Sequence, residues 1–216
     1  MNRRPITQEY FALATDEHGN MQPMRKDESN AGLVVAGLMD LLLNDVITVE
    51  KKKITVVNEM PQECGHLASL YTYLSKKPTD AKKVMSAFYA GPRINQLTTD
   101  VGESLLAEGL VTTGTNGVFG PKVTYITEKS YRDELIAIIK SALTDTDAIT
   151  AQDVTLLYIL QGTKNLNRYL SQHENNELKA KLKEMKKNPQ NKELANLITH
   201  IEDLTNLFMI FILIAP

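Results

Sequence analysis

The sequence predicts a mainly α protein, a single multi-helix domain around a buried central helix, with two small β-hairpins. Three observations carry this prediction. The stretch from Ala31 to Leu43 is apolar on nearly every face, and a helix that is hydrophobic all round is buried all round. Two pairs of short runs rich in β-branched residues are each joined by a turn-forming tip, the signature of hairpins. The chain has 216 residues, 43% of them hydrophobic, which is enough for one ordinary core, and it contains no repeat, low-complexity tract or clear linker.

The elements follow in order. Thr7 to Ala14 carries Tyr10, Phe11 and Leu13 and breaks at Asp16-Glu17-His18-Gly19-Asn20, a turn-forming cluster. Met21 to Asn30 is polar and reads as a loop holding Pro23 and the pair Arg25-Lys26, with Ser29 or Asn30 as cap of the central helix. Val46–Val49 and Ile54–Val57 form the first hairpin around the charged tip Glu50 to Lys53. Helices are predicted over His66–Leu74 and Thr79–Tyr89, the second capped by Thr79, before Gly91-Pro92 breaks the chain. Leu97, Val101, Leu105 and Glu108 mark a helix that ends at Gly109, where glycine suits a left-handed cap.

Val111 to Thr127 is the second hairpin, with a glycine-rich tip over Gly114 to Pro121. Tyr131, Leu135, Ile138, Ile139 and Ala142 keep the spacing of a one-sided helix. Val154–Leu160 reads as a buried helix, Glu177–Lys187 as a basic one and Leu194–Leu213 as a long apolar one that closes the fold. The apolar run Leu207 to Ala215 is half the length needed to span a bilayer, so a core helix or a membrane-surface contact is expected there.

Composition excludes several kinds of chemistry. Lys and Arg number 24 against 26 Asp and Glu, so no global basic charge draws the chain to nucleic acid. The single Cys64 allows neither an intramolecular disulfide nor a thiolate zinc site, and no apolar leader follows Arg3-Arg4; the reducing cytoplasm is the expected compartment. His18, His66, His173 and His200 stand apart, without metal-ligand spacing. Neither a Walker loop nor a dinucleotide fingerprint occurs, and Gly114-Thr-Asn-Gly117 lies between two strands rather than between strand and helix. Asp145, Asp147 and Asp153 suit helix capping better than a calcium loop. Adjacent Cys64-Gly65-His66 rarely gives nucleophile–base geometry. No catalytic residue, metal or cofactor is assigned, and the expectation is a protein that is not an enzyme.

Basic residues do cluster locally, at Arg3-Arg4, Arg25-Lys26, Lys51–Lys53 and Lys179, Lys181, Lys183, Lys186 and Lys187. For any one patch a solvated surface is the simplest account, yet several on one face would each add about 1 kcal/mol toward an anionic leaflet. The competing reading of a different class is a winged-helix nucleic-acid-binding regulator, from the helix ending at Gly109 and the hairpin behind it. Against it, that helix offers Thr98, Thr99, Asp100, Glu103 and Glu108 to a groove, and acids facing phosphates are unfavourable.

A set of collinear segments resembles the Golgi phosphoprotein 3 family. These are Tyr10-Phe-Ala-Leu-Ala-Thr-Asp-Glu-His-Gly19, the small-residue helix with Gly32-Leu33 and Ala36-Gly-Leu-Met-Asp-Leu-Leu42, and Val46-Ile-Thr-Val-Glu50. Leu105-Leu-Ala-Glu-Gly-Leu-Val111, Tyr125-Ile-Thr-Glu-Lys129 and Asp153-Val-Thr-Leu-Leu-Tyr-Ile-Leu160 continue the match in order, and the resemblance places a single domain at residues 5–214. The resemblance implies a mainly helical, non-catalytic peripheral membrane adaptor. Eukaryotic members bind phosphatidylinositol 4-phosphate and hold glycosyltransferases in the Golgi by their cytosolic tails. It thus implies an anionic phospholipid or membrane surface, tails of membrane proteins and a second copy of the chain as partners.

The family's headgroup pocket uses one Trp and three Arg, and here the chain departs. The Trp falls near Arg25, the first Arg at Val34 and the other two at Asn95 and Thr98. Arg93 lies two residues from Asn95, on another face of a helix. Arg25, Lys26 and Arg93 are therefore the candidates for the lipid headgroup. The family hairpin also inserts an apolar tip into membrane or a twin subunit, for which Val118 and Phe119 are the candidate contacts.

Overall fold

The computed structural model describes residues 3–88, 90–116, 122–144, 149–187 and 192–214, with Asn116, 192–194 and 208–214 described in backbone only. The mainly α architecture holds, and among these residues nine helices and two small antiparallel sheets are formed. Helix α1 (Ile6–Ala14) and helix α2 (Lys26–Leu43) pack against each other, and α2 is enclosed further by α7 (Ala151–Gly162) and α9 (Lys192–Ile214). Every residue of α2 from Ser29 to Leu41 is buried, as its all-round apolar pattern demands. Each fully buried Leu or Val contributes about 1.5–3 kcal/mol, so burial of this helix contributes substantially to the fold's stability. Close approach requires a glycine here: a Cβ on Gly32 would stand 2.2 Å from the Tyr10 hydroxyl of α1.

Asp40 joins these two helices in a second way. Its carboxylate, buried in α2, accepts hydrogen bonds from the Ile6 and Thr7 backbone N–H groups at 2.8 Å and from the Thr7 hydroxyl. Those N–H groups open α1, whose N-cap position is Pro5 and makes no side-chain cap. A neighbouring helix thus supplies the acceptor that the local sequence lacks.

The first hairpin pairs β1 (Ile47–Glu50) with β2 (Lys53–Val56) in the register Val49↔Ile54, turning through Lys51 and Lys52 at φ +49° and +68°. Two consecutive positive φ values are those of a type I′ turn, whose twist matches the strands. A third strand, β3 (Thr79–Asp80), adds to β2 with Ile54 opposite Thr79. This corrects the expected cap: Thr79 lies in a strand, helix α4 (Ala81–Phe88) begins after it, and Asp80 accepts from the Lys82 N–H at 2.8 Å. The segment before it is a 3-10 stretch (Gln62–Leu67) leading into α3 (Ala68–Leu74).

Helix α5 (Pro92–Ala107) ends at Gly109, which takes φ +69° as its sequence predicts. Strands β4 (Val111–Asn116) and β5 (Lys122–Thr127) form the second hairpin, and its tip, with Val118 and Phe119, lies outside the described residues. Helix α6 (Lys129–Thr144) follows, then α7, opened by a reciprocal capping box between Thr150 and Asp153. Burial alone would raise the Asp153 carboxyl, but the hydrogen bonds from Arg3 and Thr150 outweigh it and hold the group below its ordinary range. Helix α8 (Gln172–Lys187) precedes α9. No helix among the described residues is long and apolar enough to cross a membrane.

The loop expected over 21–30 is a second correction. A 3-10 turn spans Pro23–Arg25, and α2 begins at Lys26, well before its apolar stretch. Asp27 and Glu28 in the first turn suit the positive end of the helix dipole. Ser29 and Asn30 are no caps but buried helical residues; the Ser29 hydroxyl accepts from the Asn165 amide at 3.1 Å and its carbonyl from the Tyr10 hydroxyl at 3.1 Å.

Candidate functional site

A cavity of about 400 Å³ opens where the turn after α1, the start of α2, the first half of α5 and strand β5 converge. The turn is made by its own sequence. The Asp16 carboxylate accepts from the N–H groups of His18 and Asn20 at 2.9 Å each, and Gly19 adopts φ +75°. Gly19 is fixed twice over, since a Cβ there would stand 2.6 Å from the Tyr125 carbonyl oxygen of β5. The turn is thereby pressed against the second hairpin. Behind it, Arg168 donates to the carbonyls of Leu13 and Thr15 at 2.8 and 3.0 Å, and Arg132 donates to that of Asp16 at 3.1 Å. Arg168 thus holds carbonyls at the C-terminal end of α1, as the negative end of a helix dipole favours, and Arg132 holds the turn that follows it.

Phe11 and Tyr125 form the aromatic side of the cavity, edge to face at 6.5 Å between centroids. The Tyr125 ring lies on Gly102 of α5, where a Cβ would come within 2.2 Å of the ring. Its hydroxyl donates to Glu103 at 2.6 Å, and burial, with that carboxylate beside it, pushes the phenol up to about 12. Tyr125 is therefore a neutral, fixed wall across the working pH range.

The polar lining includes Asn30 of α2 and Asn95, Thr98 and Thr99 of α5, with Lys26 and Lys122 as its cations among the described residues. The Thr98 hydroxyl donates to the Ile94 carbonyl at 2.7 Å, so its one proton is committed within α5. Amide and hydroxyl groups beside two ammonium groups and an aromatic wall suit an anion attached to a polar ring, with Lys acting as a point charge rather than a bidentate fork. Asp16, also at the wall, spends its Oδ1 on the turn.

The sequence-derived candidates are divided by the structure. Lys26 lines the cavity, as do Asn95 and Thr98, the positions where two family arginines fall. Val34, the third such position, is buried in the core of α2. Arg25 sits at the N-cap position of α2 outside the lining, and Arg93 stacks over the Tyr73 ring with its guanidinium carbon 5.5 Å from the centroid. Lys122 was not among the candidates. It is 96 residues from Lys26, and only the fold of β5 against the turn brings the two to one cavity.

Cys64 and His66 are both buried, and burial acts on them in opposite senses. It pushes the thiol up to about 12 and the imidazole down to about 4, so both are neutral at working pH. A thiolate–imidazolium pair needs the reverse of each shift.

Comparison with known proteins agrees with this architecture. No curated protein matches the chain. The family model described as Golgi phosphoprotein 3 (GPP34) matches residues 6–201, nearly the whole length, and takes in the turn, α2, α5 and the second hairpin that together build the cavity. The chain belongs to the Golgi phosphoprotein 3 family.

Proposed function

We propose that this domain is a non-catalytic peripheral adaptor of the cytoplasmic face of a membrane, which docks by taking an anionic phospholipid headgroup, a phosphoinositide foremost, into the cavity between α2, α5 and β5. The observation that carries the reading is the convergence of Lys26 and Lys122 with Asn95 and Thr98 in one cavity. Two of the family's arginine positions are kept in place there while their charge is not, and two lysines from other elements stand at the same opening. Tails of membrane proteins are the cargo that such an adaptor would hold.

The chemistry sets the strength and character of the binding. Each charge-assisted hydrogen bond contributes about 1.5–3 kcal/mol, and three arginine forks are replaced by Val34, Asn95 and Thr98. Two exposed lysines supply attraction without directional bonds, so binding is weak, salt-sensitive and nearly blind to which inositol position carries the phosphate.

Flotation with vesicles of phosphatidylcholine alone, with phosphatidylserine, and with each phosphatidylinositol monophosphate tests the reading. The expected result is retention on all anionic vesicles, lost in Lys26→Ala with Lys122→Ala. Flotation unchanged in that double variant overturns the site, and tight, position-selective binding at high salt overturns its electrostatic character. A DNA-binding shift assay run beside it is expected to show no shift, because the helix that would enter a groove, α5, carries the acids Asp100 and Glu103 toward phosphates.

A further inference from the structure

A second cationic concavity lies far along the chain from the first. It measures about 520 Å³ and is lined by one face of α8, by Tyr158 and Gln161 of α7 and by Glu202 of α9. From α8 come Lys179, Lys183, Lys186 and Lys187. At 3.6 residues per turn these four lie within an arc of about 100°, directly beside the line of Leu178 and Leu182 that packs into the core. The acids of the same helix, Glu174, Glu177 and Glu184, all fall outside that arc, so the face is not an alternating surface of pairs.

The register of α8 is held at several points, which fixes where these lysines stand. Ser171 and Glu174 close a capping box at its start, with the Ser171 N–H donating to Glu174 at 2.7 Å and the Glu174 N–H to Ser171 at 3.3 Å. The Tyr158 hydroxyl donates to the Leu182 carbonyl at 3.3 Å, and Lys181, on another side of the helix, donates to the Leu143 carbonyl. Among the described residues only Lys186 of the four is neutralised, by Glu202. Lys179, Lys183 and Lys187 carry no ion pair there, and the Gln161 amide has no hydrogen-bond partner there. Three uncompensated cations facing one concavity, in a chain whose net charge is −2, mark charge held in reserve for an external anion.

We propose that the groove between α7, α8 and α9 is a binding site for a ligand carrying two or more clustered phosphates, held by Lys179, Lys183 and Lys187 with Gln161 as a neutral donor. Ammonium groups on flexible stems suit phosphate as point charges, and successive turns of one helix place them about 6 Å apart, close enough for one compact polyanion to meet three. The volume is that of an ordinary small-ligand site. The assignment is independent of the headgroup cavity, with which it shares no residue. Clustered phosphates occur both on free polyphosphate compounds and on a bisphosphorylated lipid headgroup, and the test separates the two sources.

Inorganic pyrophosphate titrated into the full chain at about 0.15 M salt, followed by amide NMR shifts, is the primary probe. Saturable shifts are expected at Gln161 and across Lys179 to Lys187. Lys183→Glu with Lys187→Glu is expected to weaken binding about tenfold or more, while Lys76→Glu with Lys77→Glu, an equal charge change on exposed residues after α3, leaves it unaltered. Lys183→Gln with Lys187→Gln guards against charge reversal unsettling α8; equal melting temperatures and a smaller loss are expected. Shifts that never saturate, a loss as large in the Lys76 and Lys77 variant, or shifts confined to the Lys26 and Lys122 cavity would each overturn the assignment. Flotation with phosphatidylinositol bisphosphate vesicles then names the source. Displacement by pyrophosphate and loss in the Lys183 and Lys187 variant identify a lipid headgroup, whereas intact flotation with pyrophosphate binding lost identifies a soluble phosphate. Failure of Lys26→Ala with Lys122→Ala to float, with pyrophosphate binding intact, separates this site from the headgroup cavity.

Discussion

The two cationic regions are built on opposite principles. The cavity beside α2 is constructed from groups with fixed positions: a glycine pressed on a carbonyl, a tyrosine ring laid on Gly102, a turn clamped from behind by Arg132 and Arg168. Among the described residues it carries only Lys26 and Lys122 as cations. The groove along α8 has four lysines and a floor of two side chains from α7. A pre-ordered cavity selects the ring it can seat between its fixed walls, while its two exposed lysines leave the position of the phosphate on that ring nearly unread. A strongly charged face with long flexible side chains attracts almost any compact anion and loses its grip as salt is added. Charge count alone would rank the two sites in the wrong order for selectivity.

The largest effect that tests this contrast lies in the frame under the first cavity. Helix α1, which carries the cavity's turn at one end, is held at the other by Asp40, and His66 Nε2 stands 4.0 Å from the Asp40 carboxylate. Burial raises Asp40 from 3.8 to about 6, against the bonds from Thr7 and Ile6, and lowers His66 from 6.5 to about 4. At no pH are both charged: below about 4 the imidazolium faces a neutral carboxyl, and above about 6 the carboxylate faces a neutral imidazole. The contact is therefore not an ion pair despite its distance.

The linkage signs follow. Between pH 4 and 6 the native Asp40 keeps a proton that the unfolded chain has lost, so its contribution to stability falls as pH rises. Over nearly the same range the unfolded His66 holds a proton that the native one lacks, so its contribution rises with pH. The slopes oppose each other. His66→Gln is expected to expose a loss of about 3 kcal/mol between pH 4 and 6, and Asp40→Asn a gain of about 3 kcal/mol between pH 4 and 6.5, each relative to the unaltered chain. Urea melts across that range measure both; unchanged profiles in the two variants would show that the pair is not buried as described.

Next in size is Gly102→Ala. The added methyl meets the Tyr125 ring at 2.2 Å, and overpacking of this kind costs about 1–3 kcal/mol. Vesicle binding through the first cavity should drop with it, while pyrophosphate binding at α8 stays as it was. If both fall together, the two regions are not separate units. The smallest effect belongs to Tyr158→Phe, which removes the 3.3 Å bond to the Leu182 carbonyl. About 1 kcal/mol of stability is expected to go, with a modest loss of pyrophosphate affinity as the α8 register loosens; a thermal melt beside the titration reads both.

Much of the fold was legible because burial writes itself into composition. An all-round apolar α2, a hairpin of alternating β-branched residues and Gly109 at the end of α5 each follow from local chemistry, and each stands as its sequence predicts. The start of α2 was not legible, since its first turn, Lys26 to Ser29, is as polar as a loop and differs only in suiting the helix dipole. Thr79 was misread for a similar reason: a threonine before a helix is an equally good cap or strand residue, and Ile54 decides it by pairing. In the candidate site, Lys26 was a candidate from its position beside a matched segment, and it lines the cavity. Lys122 carried no such signal, because its relevance depends on β5 lying against the Asp16–Gly19 turn.

The bond that Asp40 makes to the start of α1 also sets an order of assembly. Nine residues make a marginal helix alone, and Pro5 gives this one no cap of its own. The acceptor for its first two N–H groups lies 34 and 33 residues further on. During synthesis, then, the earlier of these two segments to emerge is not the earlier to become helical. A nascent chain ending before Asp40 carries residues 6–14 as coil, and the segment winds only when α2 has formed and turned its carboxylate inward. Substitutions at Ile6 and Thr7 would accordingly change the rate of unfolding and leave the rate of folding nearly untouched, which stopped-flow measurement on each variant reads directly.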